Sequence, residues 1–163
     1  MLRYNWGVSL NELKEADYRN LAEFRYQIRR FLHFSEEASR QEGLEPQQHQ
    51  MILAVHTLDR PDGPTIGRLA EFLLIRHHSA VGLIDRLATR RLVERVRGAG
   101  DHRQVRVRLT DSGEQKLRRL SEAHREELRN TGPALAHALG ELLRLEHHEE
   151  EDAGASPQRD TYT

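Results

Sequence analysis

The 163-residue sequence contains no cysteine. That absence removes disulfide scaffolds, thiolate zinc sites, cysteine nucleophiles and thiol redox sensing together. Long apolar runs are missing too, and none approaches the roughly 20 residues a helix needs to cross a bilayer. Aromatics are 6% of the chain and the hydrophobic set 37%. The opening Met-Leu-Arg-Tyr-Asn-Trp lacks the basic-then-apolar order of a secretory signal, so the expectation is a cytoplasmic protein without membrane contact. There is no Gly-rich phosphate loop, no nucleophile elbow and no paired-carboxylate environment, which argues against an enzyme and against a cofactor. Ten histidines are present, but no two flank a glutamate at zinc-hydrolase spacing, and adjacent ones such as His147-His148 point to different sides of a helix. No metal is expected, either there or among His33, His49 and His56.

What the chain has in excess is charge. Charged residues are 31% and the mean hydropathy is -0.77, the signature of a helical, elongated or oligomeric chain with much surface. Lysine plus arginine number 25 against 26 acidic residues, a net of -1, yet the balance is uneven along the chain. Residues 1–60 carry 8 basic and 9 acidic groups, residues 61–111 carry 10 and 6, and residues 112–163 carry 7 and 11. All the basic groups of the middle third are arginine, whose planar fork suits phosphates and guanine edges. A basic segment between acidic arms reads as a nucleic-acid footprint or as an ordinary solvated face.

Periodicity organises the same segment. Leu13, Leu21, Phe24, Ile28, Phe31 and Leu32 recur at threes and fours, predicting a long amphipathic helix over residues 11–41. A shorter helix follows Pro46 and ends before Asp59-Arg60-Pro61-Asp62-Gly63-Pro64. Thr65 is placed to cap a third helix. In the fourth, Ala80, Leu83, Ile84 and Leu87 form an apolar stripe from which His78, Ser79, Gly82 and Arg86 fall away; two helices so joined make a helix-turn-helix. Residues 92–97 and the alternating Val105, Val107 and Leu109 predict a hairpin with a glycine-rich tip. Thr110 can cap a further helix, with a break expected at Thr131-Gly132-Pro133 and a second helix from Pro133. The acidic and then Gly-, Ala-, Ser- and Pro-containing stretch from 151 to 163 is expected to be disordered.

Asp101-His102-Arg103 followed by Leu109-Thr110-Asp111-Ser112-Gly113 resembles the Asp-x-Arg…Leu-Thr-x-x-Gly pattern of the MarR family of dimeric winged-helix transcription regulators. Leu69-Ala70, Leu83-Ile84-Asp85-Arg86-Leu87 and Leu92-Val93-Glu94-Arg95 are similar to further blocks of that family, over about residues 62–118. Departures are Arg91, where the family usually has glycine, Gly82 in mid-helix, and the His77-His78 entry.

The resemblance implies a mainly α fold with a small β-hairpin wing. Residues 1–61 supply the N-terminal dimerisation arm and lobe support, 62–109 the winged helix-turn-helix lobe, and 110–150 the C-terminal dimerisation helices. It further implies a homodimeric repressor on a pseudo-palindromic operator in double-stranded DNA, released by a small aromatic or lipophilic effector. His77, His78, Ser79, Gly82 and Arg86 would read bases, with structural ion pairing to Asp85 an equal alternative for Arg86. Arg97, Asp101 and Arg103 would serve the wing, Arg103 in the minor groove unless it only braces the hairpin through Asp101. Thr65, Arg68, Arg76, Arg90 and Arg106 are candidates for phosphate contact, and Tyr18, Phe24, Tyr26, Phe31 and Phe34 for the effector pocket. The alternative from another class is a winged-helix protein-interaction module without significant DNA affinity, to which Gly82, Arg91 and the acidic arms point.

Overall fold

A computed structural model describes residues 13–58, 63–97 and 105–153, the last ten of these as backbone only. Its elements are α1 (Glu15–Gln41), α2 (Pro46–Thr57), α3 (Ile66–Phe72), α4 (His77–Thr89), β1 (Val93–Arg97), β2 (Val105–Leu109) and α5 (Asp111–Ala153). Two compact units are present. One comprises residues up to Phe31 and from Arg129 onward; in it Ala138 is buried and the Gln27 amide donates to Glu23 at 2.7 Å. The other, residues 32–128, holds the helix-turn-helix and the hairpin and is called the lobe below.

The lobe is built from helix ends as much as from helices. At the end of α1, Gly43 takes φ +70, its N–H donates to the Arg40 carbonyl, and the Leu44 N–H reaches back to Ser39 at 2.8 Å. That is a Schellman ending, with the following apolar residue, Leu44, buried. α3 ends the same way through Leu74 at φ 54, with Ile75 N–H on Ala70, and α4 through Arg91 at φ 56, with Leu92 N–H on Leu87. Only the first uses glycine. The left-handed conformation costs a side-chain-bearing residue about 1 kcal/mol.

The core beneath is formed by Met51, Ile52 and Val55 of α2, Leu69 of α3, Leu83, Ile84 and Leu87 of α4, Val93 and Val107 of the hairpin, and Leu117 and Leu120 of α5. β1 and β2 pair antiparallel, with Val93 opposite Leu109 and Arg97 opposite Val105. The expected alternation holds at Val107, which is fully buried, but not at Val105, which is 44% exposed at the far end of the hairpin. Arg106 is half-buried because its guanidinium donates to the Gly63 carbonyl at 2.7 Å. Thr110 caps α5 by accepting from the Gly113 N–H, and its hydroxyl donates to the Arg91 carbonyl at 2.6 Å. Here glycine is obligatory, since a β-carbon on Gly113 would land on the Leu92 carbonyl oxygen.

α5 then runs unbroken through Pro133, correcting the expected break. Proline deletes one backbone donor, and Gly132 before it has no β-carbon to clash with the ring, which is what normally drives the preceding residue out of the helical region. The helix also reaches Ala153, past the expected start of the tail at 151; residues 154–163 lie outside those described. α1 begins at Glu15, with the Asp17 carboxylate accepting from the Lys14 N–H at 2.6 Å.

Two polar clusters fasten α1 and α2 to the start of α5. Arg119 grips the Glu42 carboxylate with two bonds, at 3.0 and 2.8 Å, and Lys116 reaches the same residue. Arg119's hydrogen bonds hold the Glu42 carboxyl below its usual range. The second cluster is buried. His124 Nδ1 donates to the Leu120 carbonyl at 2.7 Å, and its Nε2 is hydrogen-bonded with the Ser35 hydroxyl at 2.9 Å. The Ser39 hydroxyl donates to Ser35, so at 3.3 Å it accepts from His49 Nδ1, and the two imidazoles lie 4.8 Å apart. Both rings therefore donate from Nδ1 in this arrangement.

Two stability predictions follow from these contacts. Gly113→Ala is expected to lose about 2 kcal/mol in urea unfolding through steric displacement, whereas Arg91→Gly gains about 0.5–1 kcal/mol by relieving the left-handed residue. Burial, and secondarily the neighbouring His124, push His49 down from 6.5 to about 4. Between those values the unfolded chain binds the proton and the folded one does not. Stability is then complete above about pH 6.5 and falls as the pH drops toward 4, by on the order of 2 kcal/mol. His49→Gln should flatten that slope in unfolding curves at pH 7 and pH 5; an unchanged slope would contradict the neutral, buried assignment.

Candidate nucleic-acid interface

α4 carries the candidate surface because its sequence allows only one face to be buried. Ala80, Leu83, Ile84 and Leu87 are buried, and the opposite side presents His77, His78, Ser79, Asp85 and Arg86, all exposed, with Gly82 half-buried among them. Positions 78, 82 and 86 are spaced by four and form one stripe. No acidic residue occupies the first turn. A β-carbon at Gly82 would lie 3.7 Å from the Arg86 guanidinium, an ordinary contact, so packing within the chain does not require glycine there.

Asp85 pairs with Arg95 of β1 at 2.6 Å rather than with Arg86. This removes the pairing alternative for Arg86, and it cancels the one carboxylate of α4 while tying the hairpin to the helix. Arg86 makes no ion pair among the described residues. Arg76, at the N-cap of α4, is exposed, as is Arg97 at the end of β1. Asp101 and Arg103, the expected wing-tip pair, lie outside the described residues.

The other arginines expected at phosphates have partners of their own. Arg106 holds Gly63, Arg90 donates to the Gln48 amide oxygen at 3.1 Å, and Arg68 stands 3.6 Å from Glu71. The Thr65 hydroxyl caps α3 by accepting from the Arg68 N–H at 3.3 Å. Gln48 is a residue the sequence reading passed over. It sits three residues after Glu45 at a helix start, accepts from the Glu45 N–H as well as from Arg90, and its capping spacing could have revealed it.

Of the aromatic set, Tyr18 and Tyr26 are exposed, while Phe24, Phe31 and Phe34 are half-buried. Phe34 packs on the lobe core and meets His124 edge-on at 5.4 Å. None of the five lines the recess found in the lobe, which lies between the α1–α2 turn and the end of α4. The histidines considered for a metal are dispersed: His33 lies near Glu37, His56 bonds Glu114, and His49 is enclosed with Ser39. Among the described residues no group of three potential ligands converges, and no helix is long and apolar enough to cross a membrane.

The lobe is thus a helix-turn-helix whose second helix is clamped to a two-stranded hairpin by Asp85 and Arg95. The MarR family model matches residues 42–104. Over that segment the lobe is similar to the MarR family. Solved structures similar to the chain extend beyond that segment. The MarR family transcription regulator SP03579 is 17% identical with a TM-score of 0.64, covering 85% of this chain and 93% of that one. The S. aureus MepR–DNA complex is 18% identical with a TM-score of 0.61, covering 87% and 99%. YusO from Bacillus subtilis is 18% identical with a TM-score of 0.58, covering 88% and 100%. At these identities the likeness establishes a shared winged-helix fold. No curated protein matches the chain by sequence.

The arginine contacts separate experimentally. Arg106→Ala should cost about 1 kcal/mol by leaving the Gly63 carbonyl without its donor, while Arg68→Ala stays within about 0.5 kcal/mol because its pair is exposed. Thermal unfolding of the two variants checks this; equal losses would refute the division between them.

Proposed function

We propose that this chain is a cytoplasmic transcription regulator of the MarR family that binds duplex DNA as a homodimer, α4 entering the major groove and the wing the adjacent minor groove. The observation that carries the reading is the outward stripe of α4, where His78, Ser79 and Arg86 stand exposed beside Gly82 and the only carboxylate is cancelled by Arg95. A major groove about 12 Å wide admits one such helix, and forked or short polar side chains near its N-terminus reach base edges. Arg76 and Arg97 flank that stripe as exposed cations suited to phosphates. Arg103 belongs to the wing reading by resemblance, and Arg90 and Arg106 are demoted to lobe architecture by their bonds to Gln48 and Gly63.

A second copy would answer the apolar exposure of the long helices. Leu13, Tyr18, Leu21, Tyr26 and Leu32 on the N-terminal segment and α1, and Leu128, Leu139 and Leu143 on α5, are each at least 42% exposed. Two-fold symmetry then places two copies of α4 roughly 34–36 Å apart on a pseudo-palindromic operator. Repression relieved by a small effector is the regulatory form we favour. A related structure, Bordetella bronchiseptica BpsR, is described as regulated in DNA binding by 6-hydroxynicotinic acid.

The deciding measurement is binding to duplex DNA across a salt series. Each neutralised phosphate contributes a log-log slope of about -0.9, so a dimer should show about -4 or steeper. His78→Ala should relax preference at a few base positions, whereas Arg97→Ala should weaken all sequences alike. A flat salt dependence would support the protein-interaction module instead.

A further inference from the structure

The recess between the α1–α2 turn and the C-terminal half of α4 has no role in the reading above. Its volume is about 590 Å³, within the range of small-molecule sites, and it lies wholly inside the lobe. Leu44 and Pro46 give it an apolar part, and Arg40, Arg86 and Arg90 are among its lining residues against the single acidic residue Glu45. The three cations come from separate places: α1, the outward stripe of α4, and the residue that ends α4. Their existing partners are weak competitors for an anion. Arg86 has no ion pair among the described residues, Arg90 is held only by a neutral amide, and Arg40 meets Glu36 at 3.0 Å in an exposed pair. Pro46 also opens α2, whose first turn lines the same space and is closed by a capping box between Glu45 and Gln48. Arg90 also braces the lobe through Gln48, but three arginines lining one recess against one glutamate leave an excess of positive charge that this bond does not neutralise.

We propose that this recess binds a small molecule carrying a phosphate or diphosphate group, held by Arg40, Arg86 and Arg90, with its apolar portion against Leu44 and Pro46. Guanidiniums bind such oxyanions through paired, charge-assisted hydrogen bonds. Occupation draws Arg86 toward the α1–α2 turn and neutralises it, so ligand and DNA compete for one cation. That regulatory consequence rests on the DNA binding proposed above; occupation of the recess does not.

Inorganic pyrophosphate is the probe, titrated into the full-length chain by calorimetry and then into the protein–duplex mixture at constant ionic strength. One site per chain is expected. Arg40→Gln should weaken pyrophosphate at least tenfold, and Glu45→Gln, which removes the opposing charge, should tighten it severalfold. Pyrophosphate at ten times its Kd should weaken duplex binding about tenfold per chain, and so on the order of a hundredfold for a homodimer whose two recesses must both be vacated. Arg40→Gln should keep its duplex affinity within twofold and lose that sensitivity. No saturable heat with the wild type, or equal affinity in all three proteins, overturns the proposal. So does a fall of about one unit in the DNA salt slope of Arg40→Gln without pyrophosphate binding, since Arg40 would then serve a backbone phosphate of DNA. If no duplex is bound by any form, the DNA reading fails, and the calorimetric comparison still decides the site.

Discussion

Each of the first, third and fourth helices must reverse at its C-terminus through one left-handed residue, and the next residue must then drop into or against the core. The positions are Gly43 with Leu44, Leu74 with Ile75, and Arg91 with Leu92. These three turns set the angles at which α2, α4 and β1 leave, and so fix where the exposed stripe of α4 points. The last of them carries the most. Leu92 is buried, its N–H closes α4, and its carbonyl is the surface on which Gly113 starts α5. A shift at Arg91 would move α4, the hairpin and the start of α5 together.

Electrostatics are layered on this frame by distance. The middle third is rich in arginine, but the fold divides those arginines into holders and free cations. Arg106, Arg90 and Arg95 are spent on Gly63, Gln48 and Asp85, each joining two elements of the lobe. Arg76, Arg86 and Arg97 keep exposed heads. Surface pairs of this kind contribute little each to stability; their larger effect is to decide which positive charges still face outward. Without the Arg95 contact, the Asp85 carboxylate would stand one residue from Arg86 on the stripe proposed to meet a polyanion.

Much of this was legible in the sequence where the determinant is local. The four-residue apolar stripe of α4 announces itself at helical spacing, Thr65 and Thr110 are hydroxyls at helix starts, and Gly113 belonged to a recognisable Leu-Thr-x-x-Gly run whose physical reason is contact with Leu92. What could not be read depends on partners far along the chain. Arg90 and Gln48 are 42 residues apart, and Arg106 and Gly63 are 43 apart, so each arginine looks in sequence like any other surface cation. Pro133 misled for a related reason. Proline's local penalty suggests a stop, but a helix that continues on both sides with favourable spacing, and has glycine before the proline, tolerates the loss of one hydrogen bond. Asp101 and Arg103 stay with the sequence argument, outside the described residues.

The two strained turns deserve a physical explanation because both flank the same helix. Leu74 precedes α4 by two residues and is 82% exposed; Arg91 follows it by one and is also exposed. Neither side chain is fastened in place by burial, so the left-handed backbone is imposed from the other side, by Ile75 and Leu92 packing inward and by the backbone bonds that close α3 and α4. Each conformation costs about 1 kcal/mol, which is small beside the burial of two large apolar side chains at about 1.5–3 kcal/mol apiece. Glycine would remove that cost but widen the conformations open to the chain at both ends of α4, an entropic term that offsets only part of the gain. A bulky residue in a left-handed turn therefore exchanges a little stability for stiffness where α4 enters and leaves the lobe. For a helix proposed to enter a groove with little clearance, stiffness at both ends preserves the orientation that the buried stripe establishes.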